Sequence, residues 1–587
     1  MNSSQPISNG YRTKTFFENA IVYTPFIIAL LFTVLVMVQA DKKFVLDEMD
    51  FPIVSKAASE TGTPVYYRGE ANPRAIGIYH PTLYIHAQAL FIKIFGYNEN
   101  VIRAFGMLCA LLTAFFTILT IRLLYPGDAG NRYFYSIFLI LFLLHPYTIA
   151  NATLPDIDPT VLPLVITVFF YFFIKRFGDS GVKTSKAGTP GPSIGAKWPV
   201  FISGILFALC LWTKLTTPAV MPVFMLLLLL SMGYRPVKSL SIAVAVTLLG
   251  IAVFLLTYWI YCSALHLPFI FTFKFLLQSF AKGTNAAGIS ERLWRIIYNL
   301  HFFKIFINWL TLPFFVLVLT GFFYTFGRLS NRPSRTVFIL SLFGFLVMAA
   351  YSGVITPFGG FFKYPFVGFN FLILPSALMA VELADWRNGK NLIILSLGIL
   401  AAAALENRFF GDDLIRQRVE TGFLFIVALV LLSILLAVLI SVFKTKRYAS
   451  WAIILLLMIT GGYELGLSRA QAIAPYPTKY YYGQTGLEET ITYLKAKTKR
   501  DEVIWAMKDV GYYVNNRYEE SYPYYFFPEL QDRLISLMRE GTIRYYVATR
   551  GIGEDNIAAY PRIEKILMTY GKVEKTFGDF VIFSVGK

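Results

Sequence analysis

About thirteen apolar runs of roughly 20 residues punctuate this chain, centred near residues 30, 112, 142, 167, 206, 225, 250, 313, 345, 374, 397, 431 and 457. A helix rises about 1.5 Å per residue, so each run is long enough to cross a hydrocarbon core of about 30 Å. Residues of the hydrophobic class make up 56% of the 587, and charged residues only 15%. A water-soluble globule has no interior large enough for that much apolar surface. The pattern predicts an all-α polytopic membrane protein. The first run, Ile21 to Ala40, is followed by no small-residue cleavage pattern and reads as a retained helix, not a signal peptide.

A net charge of +18 would suit nucleic acid if it were clustered, but the Lys and Arg lie in short loops between the apolar runs. With Arg12 and Lys14 placed in the cytoplasm, every basic short loop falls on the same side. These loops are Arg122–Arg132, Lys175–Lys197 with its GTPGPSIG centre, Tyr234–Lys238, Arg328–Arg335, Trp386–Lys390 and Lys444–Arg447. The positive-inside rule produces that alternation, and it argues against nucleic acid as a partner. Cys109, Cys210 and Cys262 all sit in apolar runs, which points away from disulfides and thiolate metal sites.

The opposite face is then defined. It carries the loop 41–97, the turn Asn151–Pro159, the turn at Lys214, the segment Ser263–Asn299, the turn Phe358–Lys363, the loop Glu406–Arg418 and the tail. Residues 1–473 form the membrane domain. Residues 474–587 read as a small extracytoplasmic α/β domain behind a tyrosine-rich linker, PYPTKYYYGQTG. In the tail GLEETITYLKAK and PELQDRLISLMRE have helical patterns, DEVIWAM and TIRYYVATR have strand patterns, and GKVEKTFGDFVIFSV reads as a hairpin turning at Gly578-Asp579.

Ionisable residues gather on that outer face. Asp47 and Glu48 follow the first span, Asp156 and Asp158 lie in the turn after the third, and Lys214 and Lys363 end later spans. Carboxylates there can deprotonate a hydroxyl or hold a divalent cation, and lysines at the same depth can hold a phosphate. Each group also has a plainer role. Asp47 and Glu48 can be solvated loop acids, Asp158 before Pro159 can cap a helix, and the lysines can snorkel to the interface. Their convergence on one surface favours a site.

The loop after the acids carries Asp47-Glu48-x-x-Phe51 and then His80-Pro81-Thr82-Leu83-Tyr84. This pattern resembles the first outer loop of C-fold (GT-C) glycosyltransferases, in particular glycosyltransferase family 39, the protein O-mannosyltransferases and ArnT-like aminoarabinose transferases of lipid A. Thr82 stands where that family often has a second proline. Asp158-Pro159-Thr160 with Leu162 is similar to the family's second acidic site, Thr213-Lys214 with Pro218 to its Thr-Lys turn, and Lys363-Tyr364 with Pro375 to its basic-Tyr segment.

The resemblance implies a sugar donor on a polyprenyl phosphate (undecaprenyl- or dolichyl-phosphate) and an acceptor hydroxyl or phosphate on a lipid, glycan or protein, at the outer face of the cytoplasmic (inner) membrane. It implies Asp47 as base, with Glu48 and Asp158 orienting the substrates. Lys214 and Lys363 would hold the lipid phosphate beside Asp156 and Tyr364, with Arg68 and Arg74 as further candidates. His80 is a further substrate-binding candidate, with helix entry as its plainer role. No cofactor is required, and a divalent cation (Mg or Mn) on Asp47 and Asp158 stays open. The alternative is a multi-spanning transporter or lipid flippase. Transporters, however, place ionisable groups near the midplane in paired halves, and this chain shows no repeated halves.

Overall fold

The computed structural model of the chain describes residues 10–40, 42, 44, 49–66, 75–76, 80–126, 128–186, 197–284, 310–351, 363–384, 390–409, 423–442, 446–473, 485–499, 502–506, 508–514, 517–519, 531–549, 565, 569 and 571–585. Its helices begin with α1 (Gly10–Met37), α2 (Asp50–Thr61), α3 (Leu83–Phe95), α4 (Glu99–Leu124), α5 (Asp128–Leu143), α6 (Pro146–Thr153) and α7 (Val161–Lys186). They continue with α8 (Lys197–Thr213), α9 (Met221–Ser231), α10 (Pro236–Ala264), α11 (Phe271–Thr284), α12 (Leu312–Phe326), α13 (Arg332–Ala349) and α14 (Phe369–Leu383). The last six are α15 (Lys390–Phe409), α16 (Phe423–Val442), α17 (Lys446–Ile473), α18 (Leu487–Lys497), α19 (Lys508–Val514) and α20 (Gln531–Arg539).

Among the described residues, six helices are long and apolar enough to span a membrane. A pair bent by 63°, Tyr133–Leu143 and Pro146–Thr153, counts as a seventh when taken together, and seven shorter apolar helices accompany them. With the 13-residue α3 set aside, these elements fall one on each of the apolar centres in the sequence.

The chain divides into two compact units. The first comprises Met1–Asp41, Tyr79–Tyr84 and Asn100–Ala474, and holds the spanning helices. Lipid tails are as apolar as leucine, so packing there depends on close approach and on buried polar contacts. At one crossing a Cβ on Gly344 of α13 would lie 2.6 Å from the Gly368 carbonyl oxygen, so only glycine permits the approach. Asn370 of α14 donates to Thr117 of α4 at 2.8 Å and to Thr167 of α7 at 3.0 Å. Two of the basic loops donate to helix carbonyls. Arg335 reaches Ser231, at the end of α9, at 2.6 Å, while Arg332 reaches Gly178 at 3.2 Å and the Tyr234 hydroxyl reaches Phe177 at 3.0 Å, both within α7.

The second unit comprises Lys42–Ile78, Ile85–Glu99 and Pro475–Lys587. It holds α2, an antiparallel pair β1 (Val65–Tyr66) and β2 (Ala75–Ile76), and a five-stranded sheet. The sheet is built from β3 (Val503–Trp505), β4 (Arg517–Glu519), β5 (Ile543–Thr549), β6 (Gly571–Phe577) and β7 (Phe580–Val585), in the order β4-β3-β5-β7-β6. β3 runs parallel to β4 and β5, and β7 runs antiparallel to β5 and β6. Side chains alternate between two faces. Ile504, Val547 and Ile582 pack with Leu487, Leu494, Val510 and Val514, while Val503, Trp505 and Tyr546 pack with Ile535, Leu537 and Met538. The β6–β7 hairpin turns at Gly578, whose φ of +52° suits glycine, and the Asp579 carboxylate accepts the Thr485 N–H at 2.8 Å.

Candidate active site

Each charged group of the candidate site sits where a helix is interrupted. α6 ends before Leu154-Pro155, and the turn that follows carries Asp156 and Asp158 ahead of α7. Asp156 organises that turn. Its Oδ1 accepts the Asp158 N–H at 3.1 Å, and its carbonyl accepts the Thr160 hydroxyl. The turn-capping role therefore falls to Asp156, where the Asp158-Pro159 spacing had suggested Asp158. Lys214 closes α8 through an N–H bond to the Cys210 carbonyl at 3.1 Å, before the 3-10 turn Thr217–Val220 that contains Pro218. Lys363 precedes a second 3-10 turn, Tyr364–Gly368, with Pro365 inside it.

These four groups meet as two ion pairs. Lys214 Nζ lies 2.5 Å from Asp158 Oδ1, and Lys363 Nζ lies 2.6 Å from Asp156 Oδ2. All four residues are at most 7% exposed, so neither lysine snorkels to water. Two cations and two anions leave the cluster formally neutral, which limits the cost of burying it. Burial disfavours the Lys214 ammonium. The Asp158 carboxylate and the Tyr351 and Tyr364 side chains outweigh that effect and lift its pKa above the ordinary lysine value.

An aromatic wall backs the lysines. Tyr351 and Tyr364 stack with centroids 5.3 Å apart and planes 22° from parallel. Lys214 Nζ lies 4.6 Å from the Tyr364 centroid and 5.2 Å from that of Tyr351, and Lys363 Nζ lies 5.5 Å from that of Tyr364. The Tyr351 hydroxyl is 2.6 Å from Thr217 Oγ1 and 2.9 Å from Thr216 Oγ1. His80 belongs to the same neighbourhood. Burial first, and then the charges of Lys214 and Lys363, lower its pKa to about 3 against the opposing field of Asp156. It is therefore neutral near pH 7, and its ring meets Phe275 edge to face at 6.4 Å.

The structure thus brings together Asp156, Asp158, Lys214, Lys363, Tyr364 and His80 from distant parts of the sequence. Asp47, Glu48, Arg68 and Arg74 lie outside the described residues. Tyr351, Thr216 and Thr217 were not singled out by sequence reasoning. The only signal was a pair of threonines after Lys214 and a tyrosine closing an apolar run. A second buried polar group was also missed. His145 Nε2 lies 3.2 Å from Glu464 Oε2, and the Thr311 hydroxyl donates to Glu464 Oε1. Thr311 has φ +65°, a backbone conformation that β-branched residues rarely adopt.

A divalent cation would need several oxygen donors. Among the described residues no three His, Cys, Asp or Glu side chains converge, and Asp156 and Asp158 each already carry an ammonium. The described donors do not fit a metal. They suit a site in which fixed ammonium groups meet an anion against an aromatic wall.

No family model matches the chain, and no curated protein matches it by sequence. Solved structures do. The crystal structure of ArnT from Cupriavidus metallidurans bound to undecaprenyl phosphate superposes with a TM-score of 0.57 at 13% identity, covering 96% of this chain and 98% of that one. The apo form of the same protein gives 0.58 at 13% identity, covering 97% and 98%. The chain has the GT-C fold of membrane glycosyltransferases, with a small sheet region near its C-terminus.

Proposed function

We propose that the chain is an integral-membrane glycosyltransferase that moves a sugar from a polyprenyl phosphate to an acceptor hydroxyl or phosphate. The observation that carries the reading is the buried cluster of Lys214, Lys363, Asp156 and Asp158, backed by Tyr351 and Tyr364, in a GT-C fold. The C. metallidurans protein, which shares this fold, was crystallised with undecaprenyl phosphate. A fixed pair of ammonium groups suits such a phosphate.

In the proposed step an acceptor oxygen attacks C1 of the sugar. Its proton passes to the Asp47 carboxylate, and the bond from C1 to the phosphate oxygen breaks with its electron pair on the phosphate. The phosphate changes from a singly charged diester to a more highly charged monoester. Lys214 and Lys363 meet that developing charge, as preorganised donors do best in a water-poor site. An ammonium carries three N–H donors, so pairing with one carboxylate oxygen does not use up Lys214. Asp158 holds Lys214 in place, and Asp156 holds Lys363 and the turn. Glu48 orients the substrates, Arg68 and Arg74 supply further positive charge, and neutral His80 is a hydrogen-bonding partner that adds no third cation. A single displacement inverts the anomeric centre. A divalent cation on Asp47 and Asp158 is left out of the step, because Asp158 carries Lys214.

The site would face the outside of the cytoplasmic membrane, with the N-terminus cytoplasmic and the tail domain extracytoplasmic. The test is a transfer assay with purified protein, radiolabelled sugars on polyprenyl phosphate and a membrane extract as acceptor, beside Asp47→Asn and Lys214→Gln. Label should reach an acceptor only with the wild type. Absence of transfer from every lipid donor by folded protein would reject the reading.

A further inference from the structure

Two turns of the first unit carry the lysines of the site, and one phenol touches both. Tyr351 lies just past the end of α13, seven residues beyond Gly344. Seven residues are close to two helical turns, so the two residues share a face of the helix. Gly344 is where α13 meets backbone, since a Cβ there would lie 2.6 Å from the Gly368 carbonyl oxygen. Along that same crossing the Tyr351 ring stacks on Tyr364, the residue after Lys363, with centroids 5.3 Å apart.

The other end of the phenol reaches the second lysine. The Tyr351 hydroxyl is 2.9 Å from Thr216 Oγ1 and 2.6 Å from Thr217 Oγ1. These threonines follow Lys214 by two and three residues. A threonine ahead of a helical turn ordinarily bonds to the backbone of that turn. Thr216 stands at that position before Thr217–Val220, yet its side chain makes no capping bond. Its hydroxyl faces Tyr351 instead. Tyr351 and Thr217 are each 3% exposed, so the contact is made away from water.

We propose that Tyr351 is a positioning residue: it sets the spacing of Lys214 and Lys363, and with it their fit to the lipid phosphate. The inference rests on the glycosyl-transfer reading and deepens it. Two ammonium groups repel each other, and Asp158 and Asp156 each hold a different one. Tyr351 ties one lysine-bearing turn to the other, through its hydroxyl on the Lys214 side and its ring on the Lys363 side. Fixed cations stabilise developing charge only where that charge appears, and a displacement of about 1 Å can lower a rate by about 100-fold. Tyr351 acts through the two turns and not on the reacting atoms.

The experiment uses the full chain in nanodiscs and compares wild type, Tyr351→Phe, Tyr351→Phe/Thr217→Val and Tyr234→Phe. Tyr351→Phe keeps the ring stack and removes only the hydroxyl. The double variant also removes the buried Thr217 hydroxyl that the first change leaves behind. Tyr234→Phe takes a hydroxyl from Phe177, about 24 Å along α7 from its start. Three quantities are read: the thermal midpoint, the Kd for undecaprenyl phosphate, and kcat with a radiolabelled sugar on polyprenyl phosphate. Tyr351→Phe should lower the midpoint, raise Kd by about 10-fold and lower kcat by about 10-fold. Removing both partners of a buried hydrogen bond is often nearly neutral, so the double variant should recover most of the midpoint. Its Kd and kcat should stay at the Tyr351→Phe values, and Tyr234→Phe should keep the wild-type values of both.

A double variant that regains wild-type affinity and rate along with its stability would make the contact structural only and overturn the proposal. So would an unchanged Kd in Tyr351→Phe, or an equal rise of Kd in Tyr234→Phe. A wild type that transfers from no donor would reject the glycosyl-transfer reading, while the undecaprenyl phosphate affinities would still decide whether Tyr351 sets the lysines. A wild type that does not bind undecaprenyl phosphate would overturn both.

Discussion

Lys214 and Asp158 form a contact of 2.5 Å in which both side chains are almost completely shielded from solvent. The pair joins the end of α8 to the turn ahead of α7, 56 residues apart in the chain. Together with Lys363 and Asp156 it converts four scattered charges into one buried, neutral group. The same pair also sets the first test of what that group does.

Removing one member of a buried pair leaves the other charge uncompensated, at a cost of about 3–5 kcal/mol, whereas replacing both by apolar residues is often nearly neutral. Lys214→Met should therefore lower the thermal midpoint in nanodiscs substantially, and the double variant Lys214→Met/Asp158→Leu should recover most of the loss. Transfer should stay abolished in both, since the phosphate has lost a cation in each. A double variant that transfers sugar at the wild-type rate would mean the pair is structural only.

His80 titrates near pH 6.5 when unfolded and only near pH 3 when folded. Between those values the unfolded state binds the extra proton, so stability rises with pH. The contribution is complete above about pH 6.5 and is lost as pH falls toward about 3. Urea midpoints for the wild type should accordingly drop between pH 7 and pH 4.5 more steeply than those for His80→Phe. Since neutral His80 persists across that range, transfer should show no inflection near pH 6.5 that disappears in His80→Phe. Parallel midpoint curves for the two proteins would count against the buried, neutral state.

Gly344 and Gly368 control how closely α13 approaches the turn that follows Lys363. A methyl on Gly344 would lie 2.6 Å from the Gly368 carbonyl oxygen, and backbone cannot swing aside as a side chain does. Gly344→Ala should cost about 1–3 kcal/mol through overpacking. Because Tyr364–Gly368 is the turn displaced, it should also raise the donor KM by moving Lys363 and Tyr364. Gly233→Ala gives a comparison: φ there is +88°, but nothing lies within 4 Å of the added methyl. That variant should lose stability through backbone strain alone and keep its KM. Donor binding equal to wild type in Gly344→Ala would separate the crossing from the site.

The fold was legible because apolar length is a local property: each span announces itself within its own 20 or so residues. The tail strands and hairpin were legible for the same reason, through alternation and the Gly578-Asp579 turn. The site was legible only in part. Charge placed after an apolar run marks a helix end, so Asp156, Asp158, Lys214 and Lys363 could be assigned to one surface. Which lysine meets which acid could not be read, because Lys363 and Asp156 are 207 residues apart and their pairing depends on how the helices pack. Tyr351 escaped notice because an aromatic at a span end is usually an interfacial anchor. His145, Thr311 and Glu464 escaped because each is a single polar residue in its own apolar setting.

His145 itself permits the last test. It caps α6: its Nδ1 accepts the Tyr147 N–H at 3.0 Å, so Nε2 carries the ring proton and faces Glu464 Oε2 at 3.2 Å. The cap and the Glu464 contact can be separated by substitution. Asparagine is a strong N-cap and can replace the first bond, but it is too short to reach Glu464. Phenylalanine suits the ring contacts with Phe314 and Phe369 but supplies neither polar interaction. His145→Phe should thus be less stable than His145→Asn by about 1 kcal/mol, the worth of the cap. Both should fall below wild type, because each gives up the Glu464 contact at a buried site. Since α6 leads directly into Asp156, transfer should follow the same order: wild type, then Asn, then Phe. Equal midpoints for the two variants would show that the cap contributes nothing measurable to stability.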